Sequence, residues 1–258
     1  MIPSAALPPW PGEIIGHRGA AGLAPENTLE SFEAAISAGA DRIEFDVRRT
    51  MDGQAVIFHD LTLDRFVAGA RGRGVARQTL AEMMAIDAGA ALGRPGCRVP
   101  SLAATLSLLA GRVKLNVEVK GSGADGLLTA NLATKAVTDA GLGKDSVMST
   151  FYEPVLRHLA ARAPDLPRAF ICDARTSGDV VAMAIATGCE AIHPKFTLVT
   201  PAFLARCRAA SLLVRPWTVN EEDEMRRLIA LDVDGIVTDF PDRLRAVAGR
   251  SDPSTGML

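Results

Sequence analysis

The stretch Arg42-Ile43-Glu44-Phe45-Asp46-Val47 combines the apolar character of a buried strand with two acidic residues. Residues i and i+2 of a strand point to the same face, so Glu44 and Asp46 are predicted to share one face. Two carboxylates on a buried strand are unfavourable unless they are paired, and a bound divalent cation would remove that cost. An exposed edge strand is the alternative interpretation of this pattern.

On either side of this stretch, short apolar runs alternate with longer runs whose apolar residues have helical spacing. The predicted strands are Glu13–Gly16, Arg42–Val47, Val113–Val119, Ser146–Thr150, Arg168–Ile171, Glu190–His193, Leu212–Trp217 and Gly235–Thr238. The predicted helices include Thr28–Ala38, Gly126–Ala140, Glu153–Ala163, Gly178–Ala186, Pro201–Ala210 and Glu222–Leu231. Eight strands with crossover helices predict an α/β fold, a (β/α)₈ or TIM barrel, in a single domain over residues 1–258. A doubly wound open sheet is the alternative.

A β-hairpin is predicted directly after the second strand, where Asp52-Gly53 separates two strand-like runs. With a two-residue turn, Met51 would pair with Gln54, and Asp46 would lie opposite His59. A three-residue turn with a bulge would shift this register by one position. The hairpin and the irregular segment after it, about residues 48–110, are predicted to form a small insertion over the mouth of the barrel.

Polar residues follow the first predicted strand, at His17-Arg18-Gly19. Active sites of α/β barrels lie at the carboxyl ends of the strands, and the guanidinium fork of Arg18 matches phosphate oxygens. A surface turn is the alternative. Further along, Asn27 or Thr28 is expected to cap the next helix, and Glu26 is placed to hold Arg18.

A third carboxylate comes from the predicted strand Asn116-Val117-Glu118-Val119-Lys120. Glu118 would join Glu44 and Asp46 from a neighbouring barrel strand, and oxygen-only ligands suit Mg²⁺ or Ca²⁺. Lys120 could bind phosphate as a point charge. The alternative is a buried ion pair between Lys120 and Glu118.

Two histidines at predicted strand ends, His17 and His59, could flank a scissile bond as general acid and general base. For His193 and Asp239, which also follow predicted strands, a structural role is favoured over substrate contact. His158 lies within an amphipathic run and is expected to be solvated.

Composition excludes several classes of protein. The net charge of −2 argues against a broad nucleic-acid surface, and no apolar run reaches the ~18 residues of a membrane span. The four cysteines show no CxxC spacing, so a disulfide framework or zinc site is not expected. The start, residues 1–10, lacks the features of a secretory signal, and a cytoplasmic location is expected. The oligomeric state stays open.

These motifs, taken in order over roughly residues 13–248, resemble the glycerophosphodiester phosphodiesterase family. The matching segments are His17-Arg18-Gly19, Pro25-Glu26-Asn27-Thr28, Gly39-Ala40-Asp41, Ile43-Glu44-Phe45-Asp46-Val47, Thr50-Met51-Asp52-Gly53, His59-Asp60, Asn116-Val117-Glu118-Val119-Lys120, Trp217-Thr218-Val219-Asn220 and Asp234-Gly235-Ile236-Val237-Thr238-Asp239. The resemblance implies a barrel with a small insertion after the second strand. It also implies hydrolysis of glycerophosphodiesters to glycerol 3-phosphate and an alcohol, through a cyclic phosphate that water opens.

The same resemblance implies a role for each site residue. Mg²⁺ or Ca²⁺ would be held by Glu44, Asp46 and Glu118, and the acid/base pair would be His17 and His59. The phosphate would be steadied by Arg18 and Lys120, the site lined by Glu26 and Asn27, and the alcohol portion packed against Trp217. Two departures concern the leaving group: Thr150-Phe151 stands where the family often has Ser-Phe, and residues 68–77 are unusually rich in Arg and Gly.

Three other functions stay open at this point. A lysophospholipase D-like enzyme would hydrolyse lipid phosphodiesters rather than water-soluble ones. An enolase-like barrel would use strand-end acids around Mg²⁺ to act on carbon acids, although the paired histidines argue against it. A binding module would keep the pocket without turnover.

Overall fold

The computed structural model describes residues 9–251 of the 258-residue chain. Within this range the strands are β1 (Glu13–Gly16), β2 (Arg42–Arg49), β3 (Ala55–Ile57), β4 (Lys114–Val119), β5 (Ser146–Thr150), β6 (Arg168–Cys172), β7 (Ala191–Pro194), β8 (Leu213–Val214) and β9 (Gly235–Thr238). The expectation that no secretory signal is present rests mainly on residues 1–8, which lie outside the described residues.

Nine α-helices accompany these strands between residues 9 and 251. They are α1 (Leu29–Ser37), α2 (Leu80–Met84), α3 (Leu102–Leu109), α4 (Gly123–Asp139), α5 (Glu153–Arg162), α6 (Val180–Ala186), α7 (Pro201–Ala209), α8 (Glu222–Ala230) and α9 (Pro241–Val247). As expected, Thr28 caps α1 by accepting a hydrogen bond from Ser31 N at 3.2 Å. None of the helices in the described range is long and apolar enough to cross a membrane.

Eight parallel strands form a nearly closed barrel in the order β8-β7-β6-β5-β4-β2-β1-β9. The two ends of this order are joined where Asp234 N donates to Val214 O at 3.0 Å and Val237 N donates to Pro216 O at 2.9 Å. The predicted TIM barrel is therefore confirmed. The regular strand β8 is shorter than the predicted Leu212–Trp217, although hydrogen bonds to the β7 side continue as far as Trp217, whose N donates to Pro194 O at 3.0 Å.

Strand β2 shows how the alternation of side chains builds the barrel. Ile43, Phe45 and Val47 are fully buried in the layer between the sheet and the helices, where Phe45 meets Phe32 of α1 at a ring-centroid distance of 5.9 Å. The intervening side chains take the opposite face of the strand, which is the barrel interior. Because the apolar residues of β2 face the helices, the alternating acidic residues, Glu44 and Asp46, point into the barrel.

The predicted register of the hairpin is wrong by one position. Strand β3 pairs antiparallel with β2 so that Val47 lies opposite Ile57, and Phe58 N donates to Asp46 O at 2.9 Å. Asp46 therefore lies opposite Phe58, and His59, the predicted partner, is one residue beyond this position.

The shift arises because the turn has three residues, 51–53, rather than two. Thr50 N donates to Gln54 O at 2.9 Å, and Gly53 closes the loop in the left-handed region with φ of +72°. Asp52 favours this wider loop because its Oδ1 accepts hydrogen bonds from Thr50 Oγ1 at 2.6 Å and Leu80 N at 3.1 Å.

The segment between β3 and α3 packs around a small core of its own, built from residues such as Phe58, Leu63, Val75 and Met83. Helix α3 belongs instead to the main core of the barrel. The excursion over the barrel therefore runs from the end of β3 to the start of α3 and carries His59 to the mouth.

At the opposite end of the barrel, Glu13 of β1 gathers three cationic side chains. Arg42 donates to both carboxylate oxygens at 3.1 Å, Lys114 Nζ donates at 3.1 Å, and Arg215 Nε lies 3.1 Å from Oε2. Burial alone raises the pKa of Glu13, but the hydrogen bonds and charges of Arg42 and Arg215 outweigh it and lower that pKa to about 2. The folded state therefore favours ionised Glu13.

Replacement of Glu13 by Gln is expected to reduce the free energy of unfolding by about 3 kcal/mol at pH 7, because two buried arginines lose their counter-ion. Since the folded pKa is depressed, the deficit should be complete above about pH 4.5 and should shrink as the pH falls toward 2. Urea unfolding of both proteins between pH 7 and pH 3 measures it.

Glu190→Gln is the matched control, because Glu190 faces the same Arg215 at 3.7 Å but is 42% exposed. Its loss should be less than about 1 kcal/mol. Equal losses for the two variants, or a Glu13→Gln deficit that does not change with pH, would contradict this account of the buried ion cluster.

Candidate active site

Three carboxylates meet at the carboxyl ends of neighbouring strands β2 and β4. Asp46 lies opposite Glu118 in the parallel register, and Glu44 lies opposite Asn116. One oxygen from each of the three acids lies within 4.8 Å of the others, and all three residues are less than 9% exposed. The structure thus brings together the three acids that the sequence singled out.

Two cationic side chains share this cluster. Lys120 Nζ lies 2.8 Å from Asp46 Oδ1 and is bonded to Glu118, while Arg18 Nε lies 3.4 Å from Asp46 Oδ2. Burial raises the pKa of Asp46, but the charges of Lys120 and Arg18 more than offset it and lower that pKa well below its usual range. The ion pair between Lys120 and Glu118 is therefore present, but as one part of a larger cluster.

Glu44 is left with the excess charge. Its Oε2 accepts a hydrogen bond from Arg18 N at 2.9 Å, whereas its buried Oε1 accepts none from the described residues. Burial and the nearby charges of Asp46 and Glu118 raise the pKa of Glu44 well above its usual value. The buried Oδ1 of Asn116 likewise lacks a partner within residues 9–251. Unpaired oxygens beside excess negative charge are the donor set that a hard divalent cation prefers.

Glu26 and Asn27 lie behind this cluster and hold two of its members. Asn27 takes a left-handed conformation with φ of +56°, which lets its Nδ2 donate to Asp46 Oδ2 at 2.7 Å and its Oδ1 accept from Asp46 N at 3.2 Å. Glu26 Oε1 accepts from Arg18 Nη1 at 2.9 Å, and both its oxygens accept from Arg65. These two residues fix the directions of Asp46 and Arg18.

His17 leaves the end of β1 with its Nδ1 held by a carboxylate, Asp239 Oδ1, at 2.7 Å. An ionised carboxylate only accepts hydrogen bonds, so Nδ1 is the donor and Nε2 is the other reactive nitrogen. Asp239 is held in turn by Asn220 Nδ2 at 2.6 Å, and Asn220 Oδ1 accepts from Asp239 N at 3.0 Å. This chain of bonds fixes the orientation of the His17 ring.

His59 has a similar arrangement in the excursion after β3. Its Nδ1 lies 2.8 Å from Asp60 Oδ1, and Arg65 Nε donates to Asp60 Oδ2 at 2.9 Å. Burial lowers the pKa of His59 below its usual value, even though the charge of Asp46 acts in the opposite direction. Both histidines therefore have an aspartate at Nδ1, but only the aspartate beside His59 is shared with an arginine.

A cavity of about 250 Å³ joins these groups at the mouth of the barrel. Its polar wall contains His17, Arg18, Glu44, His59, Glu118 and Lys120. Its apolar wall contains Trp217 and Phe151, whose rings meet edge to face at 5.5 Å between centroids, and Trp217 Nε1 donates to His193 O at 2.8 Å. Buried His193 also lines the cavity, and its Nε2 has no partner among the described residues. His158 lies away from this site and bonds to Asn131.

The sequence did not single out every residue of this site. Asp239 was expected to be structural, and the structure bonds it to His17 instead; the adjacency of β9 and β1 was the signal for that contact. Phe151 and Arg175 also line the cavity. Phe151 follows a strand end, whereas Arg175 lies in a loop whose path the sequence pattern does not define.

Comparison with known proteins gives consistent matches. The model of the "Glycerophosphoryl diester phosphodiesterase family" matches residues 17–243. A glycerophosphodiester phosphodiesterase of Caldanaerobacter subterraneus subsp. tengcongensis is 32% identical over 239 residues, covering 90% of this chain and 95% of the relative.

Solved structures agree with these matches. A glycerophosphodiester phosphodiesterase from Agrobacterium tumefaciens superposes with a TM-score of 0.78 and 28% identity, covering 91% of this chain and 99% of the other. An Oleispira antarctica phosphodiesterase, solved in complex with the product sn-glycerol-3-phosphate, gives 0.84 and 25%, covering 91% and 96%. With these matches over nearly its whole length, the chain belongs to the glycerophosphoryl diester phosphodiesterase family and is a phosphoric diester hydrolase.

Proposed function

We propose that this chain hydrolyses glycerophosphodiesters to glycerol 3-phosphate and an alcohol, with a divalent cation and two histidines. The observation that carries the proposal is that one cavity is lined by two aspartate-held histidines and by two members, Glu44 and Glu118, of a cluster of three buried carboxylates. The Oleispira antarctica relative, solved with sn-glycerol-3-phosphate as product, supports this choice of product.

Glu44, Asp46 and Glu118 would hold the cation, and the unpaired Oε1 of Glu44 supports this assignment. Oxygen-only ligands favour Mg²⁺ or Ca²⁺. When bound there, such a cation would offset the negative charge that grows on the phosphoryl oxygens in the transition state.

His17 and His59 would carry the protons. One of them takes the proton from the attacking hydroxyl, and the other gives a proton to the oxygen of the departing alcohol as its bond to phosphorus breaks. With the Nδ1 atoms engaged by Asp239 and Asp60, the Nε2 atoms are the nitrogens available for both transfers. In the two-step route of the family, the attacking hydroxyl belongs to the glycerol itself, and water then opens the cyclic phosphate.

Arg18 and Lys120 are proposed to steady the phosphate, since both line the cavity as permanent cations. Glu26 and Asn27 would act through them and through Asp46, by holding Arg18 and Asp46 in place. Trp217 presents its ring to the carbon atoms of the substrate. A cytoplasmic location is also proposed, and the four cysteines, all free thiols, are consistent with it.

Metal-stripped protein is expected to release glycerol 3-phosphate from glycerophosphocholine and glycerophosphoethanolamine only after Mg²⁺, Ca²⁺ or Mn²⁺ is restored. Glu44→Gln should reduce this restored activity at least about a hundredfold, because the excess charge that favours a cation is lost. An enzyme-coupled assay for glycerol 3-phosphate measures both effects.

Glu153→Gln is the matched control, because Glu153 pairs with Arg157 on the outer helix α5, and its activity should equal that of the wild type. Full activity in chelator, or in Glu44→Gln, would contradict the cation assignment. Hydrolysis of lysolipids without any hydrolysis of the soluble diesters would support the lysophospholipase D-like function instead.

Replacing Asp239 by Asn is expected to reduce kcat by about 10²–10⁴-fold with a smaller change in KM, because the amide can donate to His17 Nδ1 and hold the wrong tautomer. Asp242→Asn serves as the control, since Asp242 is exposed on helix α9 close to the same strand end. Steady-state kinetics on glycerophosphocholine measure both variants. A wild-type kcat in Asp239→Asn would contradict the assignment of Asp239 as the residue that orients His17.

A further inference from the structure

A second cleft, of about 560 Å³, opens beside the catalytic cavity above strands β4, β5 and β6. The two spaces share Glu118, Lys120, Phe151 and Arg175 in their walls, so one substrate can extend from the cavity into the cleft. The cavity is lined by Glu44, Glu118 and both histidines, and the proposed function therefore assigns the reacting phosphate to it. The remainder of the substrate, its alcohol portion, then has the cleft as an adjoining space.

The charges of the cleft do not balance. Its carboxylates are both paired, Glu118 with Lys120 and Asp173 with Arg175, whose Nε donates to Asp173 Oδ2 at 2.9 Å. Arg48 is the remaining cation in the wall. It is in ion-pair contact with none of the carboxylates in the described part of the chain.

Arg48 is held in place by a backbone contact. Its Nε and Nη2 both donate to His59 O, at 2.9 and 2.6 Å, which leaves Nη1 without a described hydrogen-bond partner. The side chain is only partly exposed, and burial lowers the pKa of Arg48 despite the surrounding carboxylates. A half-buried, pre-positioned guanidinium with free donors is a site for a planar or tetrahedral anion.

We propose that this cleft receives the alcohol portion of the substrate and that Arg48 selects alcohols that carry a negative charge, in particular a second phosphate. The inference rests on the proposed function. Phe151, Tyr152 and Phe170 supply apolar wall for the carbon atoms, while Thr176 and Ser177 supply hydroxyl groups. A cationic alcohol such as choline would meet the positive charge of Arg48 and bind less well.

The test compares initial rates of glycerol 3-phosphate release from three substrates. Bis(glycerophospho)glycerol has an alcohol portion with a second phosphodiester, glycerophosphoglycerol has a neutral one, and glycerophosphocholine has a cationic one. The wild type should prefer the first over the second in kcat/KM by roughly tenfold or more, well above the factor of two expected from its two equivalent ends. Glycerophosphocholine should be the poorest of the three.

Arg48→Gln should bring the ratio of kcat/KM for bis(glycerophospho)glycerol over glycerophosphoglycerol close to two. Arg48→Lys, which keeps the positive charge, should retain part of the wild-type preference. The ratio is decisive because Arg48 also bonds to His59 O, so its loss can slow all substrates alike. Arg49→Gln is the matched control, since Arg49 is the next residue on β2 but pairs with Asp125 at 3.1 Å outside the cleft. Its ratio should equal that of the wild type.

An unchanged ratio in Arg48→Gln, or a wild type that does not prefer the anionic alcohol, would overturn the role of Arg48 while leaving the proposed function intact. Failure of all three substrates to release glycerol 3-phosphate would overturn the proposed function and this inference with it.

Discussion

Three carboxylates and two cationic side chains occupy one buried patch inside the barrel, and this imbalance governs the rest of the site. Removing ionised carboxylates from water is unfavourable unless other charges and hydrogen bonds replace the lost hydration. Asp46 is compensated by Arg18, Lys120 and Asn27. Among the described residues, Glu44 accepts one hydrogen bond, from Arg18 N, and its buried Oε1 accepts none, so a further cation would relieve the charge that remains.

The surrounding network follows from the need to hold Arg18 and the acids in fixed directions. Glu26 bonds to Arg18 and Arg65, and Arg65 reaches Asp60 beside His59. The excursion after β3 is thereby tied to the acids of β2 through charged hydrogen bonds. Arg65 thus both bonds to Glu26, which holds Arg18, and holds Asp60, which bonds to His59. The network that balances the buried acids therefore also positions His59.

The two ends of the barrel solve the same electrostatic problem in opposite ways. At the carboxyl ends of the strands, the three carboxylates of the cluster outnumber its two cations, Arg18 and Lys120. This repulsion between buried charges is unfavourable, and it lies where a bound ligand could relieve it. At the amino ends, one carboxylate, Glu13, is surrounded by three cations and is held ionised. That second cluster stabilises the fold without offering a site, which agrees with the usual division of an α/β barrel into a catalytic face and a stabilising face.

Most of the fold follows from local sequence patterns. The bounds of β1, β5 and β9 agree with the predictions; β1 ends at Gly16, and β9 is followed directly by Asp239. Strand β8 is shorter than predicted as a regular strand, although its hydrogen bonds to the β7 side continue to Trp217. The hairpin register differs by one residue from the two-residue-turn prediction and agrees with the shift expected for a three-residue turn; the bond from Leu80 N to Asp52 Oδ1, 28 residues away, is a contact that local turn rules do not contain.

The acids of the site were equally predictable, since the strand period of two assigns Glu44 and Asp46 to one face and apolar residues to the other. The contacts of Asp239 and Arg48 were not. The first depends on the pairing of the last strand with the first, and the second on a backbone oxygen of the irregular excursion, His59 O, which accepts from Arg48. Barrel closure brings the ends of the first and last strands together without defining which side chains meet there, and the path of the loop that carries His59 does not follow from the sequence pattern.

The most direct test of the central claim is calorimetric titration of metal-stripped protein with Mg²⁺ and, separately, with Ca²⁺. The account predicts that at least one of the two binds at one cation per chain in the wild type and in Glu153→Gln, and that this binding is lost or strongly weakened in Glu44→Gln. Absence of stoichiometric binding in the wild type, or equal binding by wild type and Glu44→Gln, would show that the buried acids are balanced without a cation and would contradict it.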